Sequence, residues 1–219
     1  MRKLLTMFAL SVFAPASYAD AVLFLTQYLG PTVVVDANSP QNSCHIAGCI
    51  TYIGPVGDWN VNVTGLEGSA SAPAYMALNS VDTHVGGGGI LSTYFAVNDL
   101  TANPSGFLTT VTGTGTFGFG GWAGAWGGAN NQLFSTVTEL GTVIDFGFGI
   151  SGPDSTLGFN SLGPEYSLLL LSSVGGSYPE TGSFSAVIEA APEPWSVSLL
   201  GTVLLCCATV RLLRIVLPR

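Results

Sequence analysis

The sequence predicts an all-β fold, an antiparallel β-sandwich or jelly roll, and three observations lead there. Glycine is abundant, 29 residues in a chain of 219, and all but Gly201 lie before residue 192. At that density glycine weakens any helix, and helix-favouring runs are scarce in the body. Apolar runs are short and end in turn-forming clusters such as Asn103-Pro104-Ser105-Gly106. Trp59, Val61 and Val63 alternate with Asn60, Asn62 and Thr64, the two-residue period of a strand with one wet face. No repeat of fixed length favours the competing β-solenoid.

The elements follow in chain order. Residues 1–19 read MRKLLTMFALSVFAPASYA. Arg2 and Lys3 precede an apolar run over 4–13, Pro15 ends it, and Ser17 and Ala19 are small residues before a cut ahead of Asp20. That order predicts an export signal peptide. Residues 23–29 and 32–35 are β-type runs split by Gly30-Pro31, and 49–53 and 59–64 follow. Strands are then expected over 90–97, 107–111, 133–140, 142–150, 166–171 and 183–189. Within 142–150, Ile144, Phe146, Phe148 and Ile150 form the apolar, core-facing set. The expected organisation is a signal peptide over 1–19, a sandwich domain over 20–191 and a tail over 192–219.

The tail differs in kind. Residues 195–210 are almost continuously apolar. As a helix they would reach roughly 24 Å against a hydrocarbon core of about 30 Å. Leu212 and Leu213 lengthen the run while Arg211 and Arg214 reach back to the interface, which predicts a transmembrane helix over 195–213. The arginines favour a cytoplasmic C-terminus. Pro192-Glu193-Pro194, an apolar helix and then Arg211 and Arg214 together resemble a PEP-CTERM sorting tail. Parts of the body, from Gly57 through Thr64, Leu78 to Ser80, and Gly86 to Ile90, are loosely similar to domains of such exported bacterial proteins. The resemblance implies recognition by an exosortase-like membrane transpeptidase and cleavage near the Pro-Glu-Pro motif. It further implies a single-pass membrane protein, then a cell-surface or extracellular one, with exopolysaccharide as a candidate partner. It implies no reaction.

Charge excludes some functions outright. All five Lys and Arg residues sit at the ends, as Arg2, Lys3, Arg211, Arg214 and Arg219, while the thirteen acidic residues lie between. Without cations to displace phosphate counterions, nucleic acid is not a partner. No calcium-loop spacing, Gly-Gly-x-Gly-x-Asp repeat or phosphate-cradling G-x-x-x-x-G-K-[ST] motif occurs, so no metal or cofactor is expected.

Cys44 and Cys49 enclose four residues, and in an exported chain they predict a structural disulfide. Ser80, Asp82 and His84 would share one face of a regular strand, an acid-base arrangement, although a loop before the Gly86–Gly89 run is the expected setting. Glu139 and Asp145, as cross-strand neighbours, would make the paired carboxylates of a weak polysaccharide hydrolase. Trp122 and Trp126, set among glycines, either plug a bend in the core, form an aromatic platform for sugar rings, or support self-association. The resulting expectation is a non-enzymatic exported surface or matrix protein, with a carbohydrate- or polymer-binding module as the alternative.

Overall fold

The computed structural model describes residues 20–190 apart from 69–74, 88, 102–103, 105, 117–119, 137, 148–150, 159–161 and 177–178, and side chains outside 141–161. Twelve strands occur among them: β1 (Ala21–Gln27), β2 (Thr32–Asp36), β3 (Cys49–Val56), β4 (Trp59–Glu67), β5 (Tyr75–His84), β6 (Gly89–Leu100), β7 (Phe107–Gly115), β8 (Gly120–Gly128), β9 (Thr138–Gly147), β10 (Ser151–Gly158), β11 (Tyr166–Gly176) and β12 (Glu180–Ala190). They form two six-stranded antiparallel sheets. The first runs β2-β1-β6-β11-β8-β9 and the second β10-β7-β12-β5-β4-β3.

Alternation builds the core. In β1, Ala21, Leu23 and Leu25 are buried while Val22, Phe24 and Thr26 are not. In β4, Trp59, Val61 and Val63 turn inward, as their period requires. Phe95, Phe107, Leu168, Leu170 and Tyr166 meet them from the other strands. Gly65 leaves room for one of these rings, since a Cβ there would lie 2.5 Å from Phe95. At one end of the sandwich Gln27 of the first sheet locks onto the β3–β4 turn of the second. Its Oε1 accepts the Asp58 N–H at 2.8 Å and its Nε2 donates to Asp58 Oδ2 at 3.1 Å. Gly57 has φ +61°, and a Cβ there would collide with Gln27 Oε1.

Several expectations change. Leu133 and Phe134 lie in a turn, and one strand, β9, runs through Gly141 where two were expected. The strands β5, β8 and β10 were not anticipated, because their glycine and polar content hides the two-residue period. The core-facing assignment of Ile144, Phe146, Phe148 and Ile150 falls on residues whose side chains are not described.

The expected C-terminal transmembrane helix over 195–213 is withdrawn: it falls on residues outside the described ones, and nothing described supports it. No described residue is helical, and among the described residues no helix is long and apolar enough to cross a membrane. Pro192, Glu193, Pro194, Arg211 and Arg214 lie outside the described residues, as does the signal segment 1–19. The sorting-tail reading goes with the helix it required, and so do the exosortase-like partner, the membrane anchor and the single-pass location. The described residues form a β-sandwich of strands alone.

Candidate functional site

Strand β8 places the two tryptophans. Ala123 and Ala125 point into the core, so Trp122, Gly124 and Trp126 share the outer face of the first sheet. Both indoles are partly exposed and meet edge to face, with centroids 6.5 Å apart. Gly124 lies beneath them, and a Cβ there would sit 2.6 Å from the Trp126 ring. Of the three settings left open by sequence, the core plug is excluded and the rings lie on a surface strand.

The same face carries further rings that the sequence did not single out. Register aligns Val34, Phe24, Tyr94, Leu171 and Gly124 in one row across five strands. Phe24 and Tyr94 contact edge to face at 5.4 Å. Phe134, from the β8–β9 connection, folds over both at 5.9 and 6.5 Å. It is held at φ +60°, a conformation that bulky side chains rarely adopt. Such strain persists where surrounding contacts fix it, and it is concentrated at functional surfaces. Glu139 faces Trp126 across β8 and β9. The one available signal was the position of Phe24 between Leu23 and Leu25, which puts it on the opposite face from both.

The acid-base candidates lie elsewhere. Ser80, Asp82 and His84 do share a face of β5, but it is the inner one, and all three are buried. The Ser80 hydroxyl donates to Asp82 Oδ1 at 2.5 Å, and His84 stacks on Trp59 at 4.5 Å. Burial pushes the Asp82 carboxyl up to about 7, against the lowering effect of the Ser80 hydrogen bond. Asp82 Oδ2 has no hydrogen-bond partner among the described residues. Burial likewise raises the Tyr166 phenol. Ser80, Asp82 and His84 are all shut off from solvent, so no acid-base pair is presented at the surface. Glu139 and Asp145 fall on one strand, β9, instead of facing each other across two. Six residues of strand span roughly 20 Å, beyond the ~10 Å limit for cooperating carboxylates.

Cys44 and Cys49 are joined by a disulfide at the entry to β3. Asn42 secures that loop: its Oδ1 accepts the N–H groups of Cys44 at 3.0 Å and Thr51 at 2.9 Å. Among the described residues no three His, Cys, Asp or Glu side chains are grouped to hold a metal.

No known protein family matches the sequence, and no characterised protein matches it as a relative. Solved β-rich structures align weakly. TmCBM61 in complex with β-1,4-galactotriose aligns with TM-score 0.36 and 11% identity over 63% of this chain and 92% of its own. A structure from a study of carbohydrate-binding modules of the β-sandwich superfamily gives 0.34 and 11%, over 81% and 85%. The glycoside hydrolase domain of Endo-D from Streptococcus pneumoniae gives 0.31 and 10%, over 62% of this chain and 22% of that one. At such scores the likeness assigns neither a family nor a function.

Proposed function

We propose that this chain is a non-catalytic polymer-binding module that holds a carbohydrate chain against the outer face of its first sheet. The observation that supports this is the Trp122–Trp126 pair on β8, partly exposed, carried on a strand and cleared of a side chain at Gly124. Aromatic rings offer large apolar contact at low conformational cost, which suits the C–H faces of sugar rings. Phe24, Tyr94 and Phe134 extend the apolar surface along the neighbouring strands. The buried setting of Ser80, Asp82 and His84 argues against hydrolysis. This replaces the reading of a surface protein defined by its processed tail.

Titration of the tryptophan fluorescence with neutral soluble polysaccharides (xylan, galactan and a mixed-linkage glucan) tests the reading. Quenching by at least one of them is expected, with the quench lost in the Trp122→Ala/Trp126→Ala variant. Unchanged emission with all three would count against it.

A further inference from the structure

The outer face of the second sheet is a groove of a different kind. It encloses about 430 Å³ over β4, β5, β12 and β7. Register sets its walls as two adjacent rows, Asn62–Val81–Ser183–Thr114 and Thr64–Asn79–Ser185–Thr112. Seven of these eight side chains carry an amide or a hydroxyl, and no ionisable side chain lines the groove. The side chains of Asn62, Asn79, Thr112 and Ser185 have no hydrogen-bond partner among the described residues, so their donors and acceptors remain for a ligand. Ser183 is braced by Thr114 at 2.9 Å, and Thr64 by Thr51 at 2.9 Å. Val81, 52% exposed, supplies an apolar spot within the polar rows.

We propose that this groove is a second binding site, for a neutral, hydroxyl-rich chain of the oligosaccharide class, on the side of the sandwich opposite the tryptophan pair. Amides and hydroxyls both donate and accept, so they match alcohol groups of either polarity. Strands stand ~4.8 Å apart, so four of them present polar groups at regular steps over roughly 14 Å, the scale of a few linked sugar rings. Val81 meets a C–H face while Asn62 and Asn79 meet hydroxyls. The described residues contain no Lys or Arg, and the chain carries a net charge of -8, so polyanions find no cationic partner and are repelled. A module with a site on each outer face would cross-link two polymer chains. The choice of a sugar ligand rests on the reading above, whereas the position and neutrality of the groove do not.

Calorimetric titration of the protein with xylohexaose, cellohexaose and a galactan-derived hexasaccharide, with oligogalacturonate as the anionic comparison, tests the proposal. At least one neutral hexasaccharide is expected to bind with two sites per chain. Asn62→Ala/Asn79→Ala and, separately, Val81→Glu are expected to remove one of those sites or weaken it at least tenfold. Both changes lie on exposed strand positions, and circular dichroism checks that the fold is kept. Trp122→Ala/Trp126→Ala should leave the groove site intact. Wild-type binding in both groove variants would overturn the proposal, as would equal binding of oligogalacturonate. Loss of all binding in the tryptophan variant would overturn it while leaving the aromatic-face reading standing. Binding that survives in the tryptophan variant but not in the groove variants would uphold the groove and overturn the aromatic-face reading.

Discussion

On the first sheet one outward row runs Phe24, Tyr94, Leu171 and Gly124, and on the second a corresponding row runs Thr64, Asn79, Ser185 and Thr112. The inward faces differ as well. Among the described residues every buried carboxyl or imidazole, in Glu67, Asp82, His84 and Glu180, belongs to the second sheet, whereas the first buries polar groups that are neutral at pH 7, such as Gln27, Thr93 and Ser172. The two layers share one core, yet each outer face is set by residues that contribute nothing to that core. In a sandwich the inward half of each strand answers to packing, and the outward half is left to recognition.

The largest expected effect falls on both faces together. Phe95 fills the space opposite Gly65 and is fully buried. Phe95→Ala should cost roughly 3–5 kcal/mol of stability in urea unfolding, and binding at both faces should fail in parallel. Independent survival of one face would show that the layers do not depend on a common core.

Next is a difference in pH response between the layers. The folded Asp82 carboxyl titrates near 7, above its ordinary value of 3.8. A raised carboxyl favours the protonated fold, so its contribution is fully present below pH ~3.8 and is lost as pH rises through ~7. The size of the shift sets a ceiling of roughly 4 kcal/mol on this loss. Urea melts between pH 4 and pH 8 should show stability falling across that window, and Asp82→Asn should flatten the fall. An equally steep curve in the variant would remove Asp82 as its source.

Gly124→Ala acts on the first sheet alone. The new Cβ would meet the Trp126 ring, so overpacking should cost roughly 1–3 kcal/mol. It should also reduce polysaccharide quenching of tryptophan fluorescence by at least tenfold in affinity while the groove titration is unchanged. The smallest effect concerns Thr114→Val on the second sheet. It removes an exposed hydroxyl pair with Ser183, so stability should move by about 0.2–1 kcal/mol. A loss well above that, measured by thermal unfolding, would mean that the rows hold the sheet together and are not left free for a ligand.

Some of this was legible in the residues alone. The alternation of Trp59, Val61 and Val63 with Asn60, Asn62 and Thr64 fixes which side of β4 is wet, because a strand has a period of two whatever surrounds it. The short apolar runs and turn clusters were enough to name a sandwich. Tertiary structure decided the rest. Ser80, Asp82 and His84 share a face in any strand, but only the packing of β5 between β4 and β12 shows that the face is internal. Trp122 and Trp126 sit in a glycine-rich stretch with little strand preference of its own, and pairing with β11 and β9 on either side makes it a strand. Asn62, Asn79, Ser185 and Thr112 are unremarked in four separate segments and become one groove only through long-range register. Local period is written into each segment, whereas the neighbours across a sheet are set by where distant strands pair.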